Sequence, residues 1–202
     1  MVRSVRTWFQ GAKYHVTSRG IRKSPLFFDD DDFEKYLALV KETKERYPFI
    51  LHTYCLMSNH THLQIETKDT PLSLIMKHLN TKFAKYFNRK YNFSGHVFEK
   101  RYGDELLNSS EYEIDVSKYI HLNPVSAGMV ANPEDYPWSS YRAFVYGESI
   151  PLIAPKTLLS YFPDPSTQHY ENYIKSLPTD KFYWEDGKLN MLERKEETCG
   201  LK

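Results

Sequence analysis

Polar and apolar residues alternate through KYHVTSR and HTHLQIE, and the alternation predicts strands over 13–19 and 60–66. FILHTYCLM, 49–57, is a third strand-like run, joined to HTHLQIE by Ser58 and Asn59 alone. A two-residue connection predicts a tight hairpin in which Met57 opposes His60 and Cys55 opposes His62. Other stretches follow a helical period instead. DDDDFEKYLALVKETKERY opens with acids, spaces Phe33, Tyr36, Leu37 and Val40 on one side, and ends in bases before Pro48, which predicts a helix. TPLSLIMKHLNTKFAKYFNRKY carries a stripe of Leu72, Ile75, Met76, Leu79, Phe83, Tyr86 and Phe87, with Lys77, Lys85 and Arg89 on its other face. HVFEKRYGDELL, 96–107, reads as a further strand. SSEYEIDVSKYIHLN reads as a helix capped by Ser and stopped by Pro124, and YPWSSYRAFVYG as a short helix.

The order β-α-β-β-α-β followed by helices predicts an α+β, ferredoxin-like sandwich with an antiparallel sheet. Residues 1–148 are expected to form one domain. Residues 149–202 form a Pro-rich, aromatic extension without an assigned role, whose last ten or so residues read as a disordered tail.

In strand geometry His60, His62, Gln64 and Glu66 share one face, and two imidazoles on one face can meet a single metal ion. Spacing alone leaves this open, because an H-x-H pair can equally be inert. Glu66 on that face is either a partner for a histidine or a solvated strand end. On the helix 109–123, Tyr119 and Asn123 lie four apart and share a face, while His121 points away. A phenol with an ordinary pKa of about 10 is a weak nucleophile at neutral pH. Beside a divalent cation that polarises a phosphate it becomes a credible one. The bland reading of Tyr119 is a packing tyrosine.

Charge sharpens the choice of substrate. The net charge is +1, but residues 1–28 hold six Lys or Arg and no acid, and residues 71–102 hold seven against Glu99 alone. Two basic blocks on a near-neutral chain suggest a surface for a polyanion. Two cysteines, Cys55 and Cys199, exclude both a disulfide framework and a cysteine metal cage. The absence of a long apolar run or signal-peptide core leads us to expect a cytoplasmic, nucleoid-associated protein.

Along residues 11–146 the chain resembles the HUH-type single-tyrosine transposases, and in particular the REP-associated tyrosine transposases. The resemblance runs in order through YHVTSRG, YCLMSNHTHLQIE, LNTKFAKYFNRKY, GHVFEKRY, YIHLNPVSAGMV and DYPWSSYRA. It implies that His60 and His62 are metal ligands, that Asn123 completes the site, and that Tyr119 is the nucleophile. It further implies Mg²⁺ or Mn²⁺ as cofactor and cleavage of single-stranded DNA near hairpins through a 5′-phosphotyrosine link. Gly103, Asp104 and Ser126 depart from the commonest family pattern, and Thr61 fills the middle HUH position; no proposed catalytic group is affected.

DNA contacts are expected from Arg19, Arg22 and Lys23 beside the first strand, and from Lys82, Lys85, Arg89 and Lys90 on the second helix. His96, Lys100 and Arg101 follow them, and aromatics near YNFSGHVF are candidates for stacking on unpaired bases. A monomer is the expected state. The alternative is a domesticated protein that binds structured single-stranded DNA without cutting it; a more distant one is a phosphoesterase that uses water, with Tyr119 structural.

Overall fold

The alternation in the sequence becomes a four-stranded antiparallel sheet with two unlike faces. A computed structural model of the chain describes residues 7–176 and the backbone of two further strands, 182–185 and 188–191. The sheet comprises β1 (Lys13–Arg19), β2 (Phe49–Met57), β3 (His60–Thr67) and β4 (Gly103–Leu107), in the order β2-β3-β1-β4. Helices α1 (Asp30–Arg46) and α2 (Leu72–Lys90) cross between strands, giving the ferredoxin-like α+β sandwich that the element order predicts.

Local chemistry sets the helix ends. The Asp29 carboxylate caps α1 by accepting from the Asp32 N–H, and Asp30, Asp31 and Asp32 sit in the positive first turn. Helix α3 (Ser110–Ser126) starts where Ser109 accepts from the Tyr112 N–H. It does not stop at Pro124. Proline removes one N–H, but so near the end of the helix the chain still closes through Ala127 N–H to Asn123 O, 2.9 Å, and Met129 N–H to Pro124 O, 2.9 Å. Gly128, at φ 67°, makes the left-handed turn that ends the helix.

The predicted hairpin forms in the predicted register, with Met57 opposite His60 and Cys55 opposite His62. Val16, Tyr14, Leu63, Ile65, Leu51 and Leu56 are buried on one face among Phe33, Tyr36, Val40, Ile75, Leu79 and Phe83 of α1 and α2. The pairs Lys13–Glu66, His15–Gln64, Thr17–His62 and Arg19–His60 lie on the other, against α3. A β-bulge at His52 shifts β2, so that Leu51 pairs Ile65 while Thr53 pairs Gln64.

One expected strand is shorter than predicted. Residues 96–102 are irregular and β4 begins only at Gly103, because 97–99 bond to the exit of β1 instead. Ile21 N–H donates to Val97 O at 2.9 Å and Glu99 N–H to Arg19 O at 3.0 Å. Beyond the short helix α4 (Tyr141–Val145), helices α5 (Pro155–Leu159) and α6 (Ser166–Lys175) pack on the sandwich, burying Ile153, Leu158, Tyr170 and Ile174 in the same apolar core. A two-stranded sheet of β5 (Phe182–Glu185) and β6 (Lys188–Met191) follows. The expected frayed tail lies outside the described residues. Among the described residues, no helix is long and apolar enough to cross a membrane.

Candidate active site

His60 and His62 project from the start of β3 toward α3, with ring centroids 4.8 Å apart. Each has its Nδ1 engaged. His60 Nδ1 lies 2.6 Å from Asn59 Oδ1, and His62 Nδ1 lies 2.9 Å from Nε2 of His15 on β1. Tyr119 approaches edge-on from α3, its ring 5.4 Å from His62 and 5.9 Å from His15. Asn123, one turn along α3 from Tyr119, interacts with both Tyr119 and His60. Residues 59 positions apart in sequence thus meet around one carboxamide. His121 turns the other way, as its helical position requires, and is buried between the Tyr170 hydroxyl and Ser140 Oγ, each at 2.8 Å.

The electrostatics keep both imidazoles neutral. Burial, and then the charge of Arg19, pushes His60 down to about 4, against the opposing hydrogen bond to Asn123. Burial also holds His62 well below its usual value, with His60, His15 and Arg19 adding to the effect. Neutral imidazoles keep a lone pair for a metal at physiological pH. Burial raises the Tyr119 phenol, while the Asn123 hydrogen bond and the Arg19 charge pull it back. Arg19, which pairs with His60 across the sheet, therefore acts on all three groups.

The donor set fits a divalent cation that keeps open positions for water or phosphate oxygens. Two imidazoles and one amide oxygen make an incomplete shell, and among the described residues no three His, Cys, Asp or Glu side chains gather as a metal cage. Structural zinc is held by four protein ligands. Mg²⁺ and Mn²⁺ commonly complete their shells with water and phosphate oxygens. The rest of the polar strand face is spoken for. Gln64 accepts from Thr53 Oγ1 at 2.9 Å and donates to Glu113 O at 3.2 Å. Glu66 does partner a histidine, but that histidine is His52, at 2.9 Å.

The expected DNA contacts separate into groups. Lys85, His96, Lys100 and Arg101, together with Lys77, line an open cleft of about 800 Å³ between α2 and residues 95–102, where Glu99 is the acid. Arg22 and Lys23 are exposed on the turn that follows β1, and Arg89 is exposed in the last turn of α2. Lys82 and Lys90 face α1 instead, since a helix points residues in only one direction each. Lys82 pairs with Glu42 at 3.0 Å, and Lys90 with Asp29 at 2.6 Å and Asp32 at 2.9 Å. Phe93 and Phe28 are exposed, each against Phe87, whereas Phe98 packs on Phe83 in the core.

Two participants escaped sequence reasoning. His15 is a lone histidine in an alternating strand, and its closeness to His62 follows from the β1–β3 register. Asn59 reads as a turn residue, and only the hairpin geometry returns its side chain to His60. The signal available for His15 was its place on the polar face of KYHVTSR.

Known proteins resemble the chain in sequence and in fold. The sequence profile described as "Transposase IS200 like" matches residues 9–123. A Haemophilus influenzae protein named as a REP-associated tyrosine transposase is 29% identical over 133 residues, covering 60% of this chain and 75% of its own. A solved REP-associated tyrosine transposase, bound to a REP hairpin, superposes with a TM-score of 0.63 at 19% identity, over 76% of this chain and 92% of that one. A Deinococcus radiodurans crystal structure described as a transposase matches at a TM-score of 0.42 and 10% identity, over 63% of this chain and 98% of its own.

Proposed function

The chain belongs to the IS200-like transposase family, and from that membership we propose that it is a metal-dependent strand transferase for single-stranded DNA at hairpin sequences. Tyr119 is the nucleophile, and His60, His62 and Asn123 hold Mg²⁺ or Mn²⁺. The observation that carries this reading is the meeting of His60, His62 and Tyr119, with the His62 ring 4.8 Å from that of His60 and 5.4 Å from that of Tyr119, and Asn123 beside them. On this reading a cation held by the two imidazoles and the Tyr119 phenol would meet the same phosphate.

When bound, the cation would neutralise the phosphoryl oxygens and orient the scissile bond. The protein supplies the rest. The Tyr119 oxygen attacks the phosphorus, its proton passes to solvent, and the bond to the upstream 3′ oxygen breaks. That oxygen takes a proton and leaves as a 3′-hydroxyl, while the downstream strand stays on Tyr119 as a 5′-phosphotyrosine. One phosphodiester replaces another, so a 3′-hydroxyl can reverse the step without ATP. Arg19 lowers the cost of phenolate formation, because it stands in the electrostatic field of Tyr119. On this reading the cleft between α2 and 95–102 and the exposed Arg22 and Lys23 contact the phosphate backbone of a hairpin. The chain acts as a monomer on this reading.

The test is incubation of end-labelled single-stranded hairpins with protein and Mn²⁺ or Mg²⁺, resolved on a denaturing gel. Label trapped on wild type and absent from Tyr119→Phe is the expected result. Cleavage that persists in Tyr119→Phe would point to water as nucleophile, and binding without cleavage under either metal would favour the non-cutting alternative.

A further inference from the structure

The turn that connects β2 to β3 does more than reverse the chain. Asn59 uses its whole amide group. Its Nδ2 donates to the Lys23 carbonyl at 3.1 Å, its Oδ1 lies 2.6 Å from His60 Nδ1, and its backbone oxygen accepts from the Gly20 N–H at 2.9 Å. These contacts fix the proton on His60. A carbonyl oxygen only accepts, so the amide NH₂ must face Lys23; Oδ1 must then face His60, and His60 Nδ1 must carry the hydrogen. The lone pair is left on Nε2, the nitrogen turned toward Asn123 and the one that would serve a metal.

The other end of this contact is a strained basic turn. Arg22 and Lys23, neither of them glycine, sit at φ 52° and 60°. Consecutive left-handed residues cost energy and persist only where neighbours hold them. Lys23 N–H bonds to Gly20 O at 3.0 Å, Ser24 N–H to Ile21 O at 2.8 Å, and the Ser58 carbonyl accepts from Leu26 and Phe27 N–H. Gly20 lies where a Cβ would stand 2.1 Å from Ser24 O, so the turn closes only over a glycine. Asn59 is the one side chain in this set that touches both the turn and a candidate ligand.

We propose that Asn59 is a positioning residue that couples the orientation of His60 to the basic turn 20–24. A single carboxamide sets which His60 nitrogen is offered to the metal and holds the Arg22–Lys23 arms in their left-handed pose. The functional weight of this coupling rests on the reading above, in which His60 binds metal and the turn meets DNA. It predicts that the two halves can be separated by chemistry, because Asn59→Asp keeps an acceptor for His60 but loses the donor to Lys23, whereas Asn59→Ala loses both.

The experiment begins with ¹⁵N NMR of the imidazoles in the metal-free, DNA-free full-length protein. Wild type and Asn59→Asp are expected to hold His60 as the Nδ1–H tautomer, and Asn59→Ala to relax toward the Nε2–H form that free imidazole prefers. Limited trypsin digestion at Arg22 and Lys23 should run faster in both variants than in wild type. Mn²⁺ titration followed by electron paramagnetic resonance should lose about 10–100-fold in affinity in Asn59→Ala and stay close to wild type in Asn59→Asp. Metal-free hairpin affinity should fall by up to about tenfold in both. An Nε2–H tautomer in wild type overturns the proposal without any variant, and so does an Asn59→Asp turn as protected from trypsin as wild type. If the tautomer and trypsin results hold but wild type takes up no Mn²⁺, the coupling stands and the metal-dependent function fails.

Discussion

On the side of the sheet covered by α1 and α2, Tyr14, Val16, Leu63 and Ile65 meet other apolar side chains. One residue along in the same strands, on the side covered by α3, stand His15, Thr17, His62 and Gln64. His15, His62 and Gln64 are as buried as their apolar neighbours. The apolar side asks only for volume and shape, which many side chains can supply. The polar side must find a partner for each buried donor and acceptor, so its residues are held in direction. Stability gathers on the first side. Oriented polar groups on the second are what a catalytic site needs, so substitutions of neighbours on opposite faces should separate activity from stability.

The largest effect is expected from His62→Ala, which should reduce metal-dependent cleavage of a labelled hairpin to background. Leu63→Ala, one residue on, should do the reverse. It should cost about 3 kcal/mol in urea unfolding, roughly a hundredfold in the folding equilibrium, with cleavage per folded molecule unchanged. A stable but inactive Leu63→Ala protein would show that the two faces are not independent. His15→Ala should weaken Mn²⁺ binding about 10–100-fold in a direct titration, because it frees the Nδ1 of His62 from its partner.

The side covered by α1 and α2 has a polar anchor of its own. Asp32 is buried and accepts from Tyr86, Tyr91, Lys90 and the Phe28 N–H. Burial works against its charge, but these hydrogen bonds win and hold its carboxyl below the ordinary value. Asp32→Asn should cost about 2 kcal/mol at pH 7 and leave cleavage per folded molecule intact. A depressed folded pKa stabilises above the unfolded value of 3.8 and is lost as pH falls below it. The difference between wild type and Asp32→Asn in urea should therefore narrow at pH 3. The smallest effect belongs to Lys85→Ala in the cleft, which should lower the salt dependence of hairpin binding by somewhat less than one unit of logarithmic slope.

Much of the sandwich was legible because its strands are bilateral. HTHLQIE announces both faces at once, and the Ser58–Asn59 turn sets the register that opposes Met57 to His60 and Cys55 to His62. Helix α3 was read correctly at its start and cut short at its end. It packs on the polar face, so its buried positions include Glu113, Ser117 and His121 and its apolar stripe is weak. Residues 149–176 gave no clear period because their first helix has only five residues, too few for a stripe. They nonetheless anchor the back of α3. Tyr170 bonds Ser117 and His121, Tyr173 bonds Asp115, and Lys118 donates to the Tyr173 and Ser176 carbonyls at 2.6 Å. Of the candidate site, His60, His62, Tyr119 and Asn123 could be paired by spacing within each element. Their meeting, and the parts of His15 and Asn59, depend on how the elements are laid together, which no local pattern encodes.

The bulge at His52 acts on the sheet as a corrected reading frame. In a regular strand Leu51 and Thr53 would face the same way, so the core-facing half of β2 and the half that backs His60 and His62 would be out of phase. The extra residue restores the phase, with Leu51 opposite Ile65 and Thr53 opposite Gln64. Loss of one residue at the bulge, His52 or Thr53, would leave every other side chain of β2 on its present face, whereas loss of one residue from Tyr54 to Leu56 with the bulge kept would exchange inside for outside from there to the turn. The length of β2 is thus free to vary by one residue at a single place.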